Sequence, residues 1–305
     1  MIGKRVLLSS LAMVVAIACP AAGTRAEEPS TENLVLPSKC KKLISLHKKI
    51  VAPKPGDWLA EHKEPGQTFR QYVYSKPVKP TRQRGVIYVQ PLGDFDETQR
   101  KIIDLTAEFM GIYFDLPVKT NKDLSLSLIP DKARRKHPSW GMDQVLSTYV
   151  LYDVLRPRLP RDACTCVAFT TSDLWPGEGW NFVFGQASLR GRVGVWSIYR
   201  MGDPSESEEA FKLCLRRTIK IGTHETGHMF SMFHCTLFEC NMCGCNHQAE
   251  ADSRPLALCP NCLAKLLYAT GARPEKRFRK LIEFCKKNGL DEEREFYEKS
   301  LEAIK

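Results

Sequence analysis

One stretch of this chain carries residues whose types and spacing suit metal-assisted hydrolysis: His224, Glu225 and His228, with His234 six positions further on. His224 and His228 stand one helical turn apart, so both imidazoles leave the same face of a helix and can meet one ion. Glu225 is rotated by about 100° from His224. It can therefore reach a water at that ion without ligating it, which is the position of a general base. His234 can serve as a third ligand if the helix ends just after His228 and the chain turns back, leaving the fourth position of a tetrahedral zinc for water. A second group of soft ligands follows at once, because Cys235, Cys240, Cys243, Cys245, Cys259 and Cys262 crowd one short stretch. Such crowding points to a metal rather than to a ladder of disulfides. Cys240 and Cys243, followed by Cys259 and Cys262, have the spacing of a zinc ribbon.

The elements that must position these groups alternate between short β-branched runs and longer 3.6-period segments, which predicts an α/β fold. Strands are expected at 85–90, 124–129, 164–170, 182–187 and 193–199, and helices at 97–114 and 142–155. The helix that carries the chemistry is expected to open with Ser205 as N-cap and Glu208 three residues on, and to bury Phe211, Cys214, Leu215 and Ile219. Cys164 and Cys166 alternate along a strand and read as packed thiols, since a bridge between i and i+2 there is strained. After Cys262 the apolar spacing predicts two or three closing helices, with Gly289 a stop between the last two.

The ends and the composition bound the rest. Residues 1–26 have Lys4 and Arg5, an uncharged apolar run and then small residues, the pattern of a secretory signal peptide cut after Ala26. The apolar run is too short to span a bilayer, which takes about 20 residues, so an exported protein is expected. Cys19 offers lipid anchoring as the lesser alternative. With 305 residues, 43% hydrophobic and 26% charged, the chain can bury a core and is neither disordered nor coiled coil. The net charge of +10 falls in scattered groups such as Arg134-Arg135-Lys136 and Lys286-Lys287, a solvated surface rather than a nucleic-acid groove.

The segment HETGHMFSMFHC, followed by TLFEC, NM and a distal CPNC, resembles the archaemetzincins, a branch of the metzincin zinc peptidases. PGDWLAEHKEPGQTF, YVQPLG, TTSDLWP, NFVFGQAS and VGVWSIYR are similar to further segments of that family, so the likeness runs from about Pro55 to the C-terminus. It implies a metzincin-like zincin: a mixed, mostly parallel twisted sheet, an active-site helix, a Met-turn and a zinc-bound four-cysteine subdomain. The implied divisions are an N-terminal extension at 27–83, an upper catalytic subdomain at 84–230 and a lower subdomain at 231–305. The implied catalytic zinc ligands are His224, His228 and His234, with Glu225 as base and Met242 as the methionine beneath the metal. Cys235, Cys240, Cys259 and Cys262 would hold a second, structural zinc. This set competes with the ribbon set for its fourth cysteine, and it is favoured because a Cys240–Cys243 knuckle would tie Met242 into the wrong site. Phe182, Val183, Phe184, Gly185, Gln186 and Ala187 would form the edge strand along which an extended substrate lies.

The expected activity is zinc-dependent hydrolysis of peptide bonds in a peptide or protein substrate, aminopeptidase-like in its narrower form, by a monomer. The competing class is a non-catalytic zinc protein that uses the cleft or the cysteines to hold a partner; an intact Glu225 argues against it. One residue departs from the family pattern: Ser231 stands where the metzincins have glycine. Either the turn there has a different shape, or a side chain is tolerated in a conformation that glycine favours.

Overall fold

The computed structural model describes residues 34–305; the proposed signal segment and Cys19 lie outside that range. Among the described residues eight strands form two sheets. The larger contains β1 (Val86–Leu92), β2 (Val118–Thr120), β5 (Ala163–Thr170), β7 (Gly185–Ala187) and β8 (Val193–Ser197), in the order β2-β1-β5-β8-β7. Its pairs are parallel except for β7, which runs antiparallel to β8 at one edge. The smaller sheet is β3 (Arg134–Lys136), β4 (Asp143–Leu146) and β6 (Asp173–Trp175). Every residue of β5 and β8 is buried, as expected of parallel strands covered on both faces. Cys164 and Cys166 are free, buried thiols within β5.

Short helical turns open the described chain: α1 (Ser38–Lys41), α2 (Trp58–Glu61) and α3 (Phe69–Tyr74). The long helix α4 (Glu97–Phe114) begins at a capping box between Asp96 and Gln99. It buries Ile102, Ile103, Phe109 and Met110. A three-residue turn, α5 (Ser147–Tyr149), runs on as a wide π turn over Val150–Leu155. Then come α6 (Glu208–Met229), α7 (Gln248–Ser253), α8 (Pro260–Thr270), α9 (Pro274–Lys287) and α10 (Asp291–Ile304). Gly289 separates the last two at φ +65°, the stop its sequence position predicted. Among the described residues no helix is long and apolar enough to cross a membrane.

Three sequence expectations are corrected. The alternating LSLSL at 124–128 mimics a strand, but Ser125 accepts a hydrogen bond from the Ser127 N–H and bends the chain into a 3-10 turn at Leu126–Leu128. The strand that flanks β1 on the side away from β5 is β2, a few residues earlier. Residues 142–146 are not the start of a helix: Gln144 is drawn onto Asp173 (2.8 Å), and Asp143–Leu146 pairs with β6. Asp173, which is fully buried, also receives two 2.7 Å hydrogen bonds from Arg200 and so holds this sheet to the β8 end. Finally, α6 is capped by Ser207, which accepts from the Ala210 N–H at 3.0 Å. Ser205 instead donates its hydroxyl to Asp203, which keeps that turn out of the helix.

Candidate metal centre

Helix α6 is buried over its whole second half, from Thr218 to Met229. Buried threonines in this half turn their hydroxyls back onto the helix, Thr218 to Cys214 O (2.8 Å), Thr223 to Ile219 O (2.8 Å) and Thr226 to Gly222 O (2.7 Å). No polar group of theirs is then left to desolvate. This half projects His224 and His228 to one point. The Nδ1–H of His224 donates to Asn241 O at 2.7 Å, and that of His228 to Met232 O at 2.6 Å. A carbonyl can only accept, so both rings are held with the proton on Nδ1 and a lone pair on Nε2. Burial, with the neighbouring His234, lowers the pKa of His224 to about 3, and burial beside His224 and His234 lowers that of His228 well below its ordinary value. Both are neutral imidazoles, the form that ligates metals.

The next residues reverse the chain. Phe230 caps α6, and the Ser231 N–H donates to His228 O (2.7 Å) while the Met232 N–H reaches Gly227 O (3.1 Å). Ser231 has φ +65°, so the turn keeps the left-handed shape with a side chain in place. The Cβ there costs about 1–2 kcal/mol. The hydroxyl offsets part of this, accepting from the Val78 N–H at 3.1 Å and donating to Leu189 O at 3.3 Å. Past the turn, His234 is 1% exposed, and the ligand atoms of His224, His228 and His234 all lie within 4.8 Å of one another.

This donor set fits a cation. The Nε2 atoms of His224 and His228 are 3.0 Å apart, and with both protons on Nδ1 the contact is lone pair to lone pair. Nε2 of His234 is buried without a partner. A zinc with Zn–N of about 2.0–2.1 Å would hold such nitrogens roughly 3.3 Å apart and satisfy all three. Glu225 lies beside them, fully buried, with neither carboxylate oxygen hydrogen-bonded. Burial raises its pKa to about 8. Gly185 in β7 lies directly under it, where a Cβ would sit 3.1 Å from Glu225 Cγ.

Met242 packs beneath α6, and a Cβ on Gly227 would come within 2.6 Å of its sulfur. Its carbonyl accepts from the Cys235 N–H at 2.7 Å, which ties this methionine to the chain that carries His234. Gly244, two residues on, is equally close to the Trp58 indole, where a Cβ would stand 2.5 Å from the ring.

The cysteines sort themselves by distance. Cys235, Cys240, Cys259 and Cys262 are buried with sulfurs within 4.8 Å of one another. Cys243 instead donates its thiol to Phe238 O (3.3 Å), and Cys245 to Cys243 O (3.7 Å). Main-chain N–H groups point at the clustered sulfurs: Cys259 N–H at Cys240 Sγ (3.2 Å), Met242 N–H at the same sulfur (3.5 Å) and Cys262 N–H at Cys259 Sγ (3.5 Å). These donors suit thiolates better than thiols. Burial pushes Cys240 and Cys259 well up, whereas hydrogen bonds from its neighbours bring Cys235 well down. His247 caps α7, accepting from the Glu250 N–H at 3.1 Å.

Two residues escaped the sequence reading. Glu64 Oε1 accepts from His234 Nδ1 at 2.8 Å and from Trp58 Nε1 at 2.9 Å. Burial raises the Glu64 carboxyl pKa, but the hydrogen bonds from His234 and Trp58 outweigh it and hold the group below the usual range. The Trp58 ring stands edge-on to His234, centroids 5.2 Å apart. Both residues lie in a segment noted only for its family likeness, and no spacing rule links Glu64 to a histidine 170 positions away.

A model of Peptidase family M54 matches residues 157–267. Human Archaemetzincin-2 is 32% identical over 274 residues, 79% of this chain and 75% of that protein. The Archaemetzincin of Thermococcus kodakarensis is 34% identical over 190 residues, 60% of this chain and 95% of that protein. Among solved structures, archaemetzincin from Methanopyrus kandleri superposes with a TM-score of 0.52 at 28% identity, covering 63% of this chain and 99% of that one.

Proposed function

Because this chain belongs to the archaemetzincin family and is a zinc metallopeptidase, we propose that His224, His228 and His234 hold the catalytic zinc and that Glu225 is its general base. Zinc, when bound there, supplies Lewis acidity toward the scissile carbonyl and lowers the pKa of water. Glu225 takes a proton from the attacking water and returns it to the leaving amine. The single observation behind this reading is the pair of buried, unpartnered Glu225 oxygens beside three converging imidazoles.

Cys235, Cys240, Cys259 and Cys262 are proposed to hold a second, structural zinc, two per chain in all. The substrate is proposed to lie extended along 182–187, of which Gly185–Ala187 is regular strand. A groove of about 350 Å³ lined by Tyr152, Gln186, Ala187, Leu189 and Phe233 runs beside it. Aminopeptidase-like trimming is the narrower form of the proposal. Export after removal of 1–26, a monomeric state and a cleft between 84–230 and 231–305 complete it. A non-catalytic zinc protein is the second reading, and the observation favouring it is that His224, Glu225, His228 and His234 are each no more than 2% exposed.

The test is an unbiased peptide-library digest with the wild type and Glu225→Gln, zinc being counted in both. Cleavage should fall about 10²–10⁴-fold with zinc unchanged, and release of single N-terminal residues would mark the aminopeptidase form. Equal cleavage by both proteins would remove Glu225 from the mechanism. No cleavage by either would favour the second reading.

A further inference from the structure

The turn that delivers His234 is gripped by the N-terminal extension. Tyr72 donates its hydroxyl to Phe230 O (2.7 Å), and Gln67 Nε2 donates to Ser231 O (3.4 Å) while its Oε1 accepts from the Phe233 N–H (3.2 Å). The Val78 N–H donates to Ser231 Oγ (3.1 Å). Glu64 then engages His234 itself (2.8 Å). The other two histidines of the centre donate their Nδ1–H to neutral main-chain carbonyls; His234 alone donates to a carboxylate. A charged acceptor roughly doubles the strength of such a bond and raises the basicity of the opposite nitrogen.

The carboxylate is itself fixed. Trp58 holds it through Nε1 and is wedged against Gly244, where no other residue would leave room for the indole. The Trp58 N–H is anchored in turn on the Glu250 carboxylate (3.1 and 3.2 Å). The grip therefore runs from α7 through Trp58 and Glu64 to His234, and its N-terminal members lie outside the 157–267 segment that the family model matches.

We propose that Glu64 is a positioning residue for the catalytic centre: it locks His234 with its proton on Nδ1, aims Nε2 at the metal and strengthens it as a ligand. The N-terminal extension thereby becomes a working part of the site. This inference rests on the reading of His234 as a zinc ligand.

The test uses the full mature chain with Glu64→Ala, Glu64→Gln, Trp58→Phe and His234→Ala. Zinc affinity is measured by competition with a chromophoric chelator, and Co(II) is substituted to read both centres by visible absorption. Glu64→Ala should weaken the histidine-site metal about 10–100-fold and alter its Co(II) ligand-field bands. Thiolate-to-Co(II) charge-transfer bands from the cysteine site should stay as in the wild type. Glu64→Gln, which keeps an acceptor but loses the charge, should fall between, and Trp58→Phe should give a smaller loss of the same kind. If His234→Ala loses the metal while Glu64→Ala and Trp58→Phe both bind it within twofold of wild type, the positioning role is wrong and the ligand assignment stands. If His234→Ala itself leaves both affinity and spectrum unchanged, the ligand assignment fails and takes this inference with it.

Discussion

The three-histidine centre and the four-cysteine cluster are joined by the single peptide bond between His234 and Cys235, yet they are built on opposite plans. The cysteine cluster is local: all four sulfurs come from 235–262, and their N–H donors come from the same segment. Four ligands close a tetrahedron and leave nothing to do but hold. The histidine centre is assembled from α6, the turn after it and the distant N-terminal extension. On the proposed reading its three nitrogens would leave one position of a tetrahedral zinc free, and beside them lies the Glu225 carboxyl with no hydrogen-bond partner. One site spends its ligands on shape. The other, as proposed, would leave room for water beside a base, which is what chemistry requires.

The largest effect that would sharpen this contrast is loss of the closed site. Structural zinc in small zinc domains carries about 10–16 kcal/mol of apparent binding free energy, which there is folding free energy. Cys259→Ser should therefore lose one zinc, unfold at markedly lower denaturant concentration, and loosen the catalytic metal through His234. Cys243→Ser, outside the cluster, should keep both metals and unfold near the wild-type midpoint. If the two variants behave alike, the assignment of the fourth ligand is broken. Next comes Glu225→Gln, with cleavage down about 10²–10⁴-fold at unchanged stability and metal content. Unlike the cysteine variant, it should separate chemistry from folding.

Gly227→Ala is a smaller blow to the seam between the sites. Its methyl would meet Met242 Sδ at 2.6 Å, and overpacking of this kind costs about 1–3 kcal/mol. Chemical denaturation should show that loss; an unchanged midpoint would mean that Met242 is not confined beneath the helix. The smallest effects belong to Ser231. Ser231→Ala keeps the left-handed strain and drops the hydroxyl's bonds, so it should destabilise by about 1–2 kcal/mol. Ser231→Gly drops both and should lie within about 1 kcal/mol of wild type. Equal losses for the two would show that φ +65° costs this turn nothing.

The two sites also differ in how far the sequence revealed them. Residues a helical turn apart, or in paired CxxC-like spacing, declare their partners because local geometry fixes the distance; His224, His228, Cys259 and Cys262 are of this kind. Spacing alone left Cys235 and Cys243 in competition for the fourth place, and only the family likeness and the position of Met242 favoured Cys235; in the fold the Cys235 sulfur lies within 4.8 Å of those of Cys240, Cys259 and Cys262. Glu64 was invisible, because its partner is chosen by how the extension packs. The same division runs through the fold. The fully buried strand at 163–170 was legible from its β-branched and aromatic run, and Gly289 from its place between two amphipathic segments. Asp143–Leu146 was mistaken for helix because its pairing is decided by the buried Asp173 some thirty residues away, as the bond from Gln144 shows. The N-cap of α6 slipped by two residues because Asp203 competes locally for Ser205.

The central claim is that one centre holds and the other reacts. Elemental analysis of zinc per chain in the mature wild type, Glu225→Ala and His234→Ala, paired with a peptide-library digest of each, tests it most directly. The account predicts two zincs and cleavage in the wild type, two zincs without cleavage in Glu225→Ala, and one zinc without cleavage in His234→Ala. A single zinc in the wild type, indifferent to His234→Ala and accompanied by no product above the Glu225→Ala background, would contradict it.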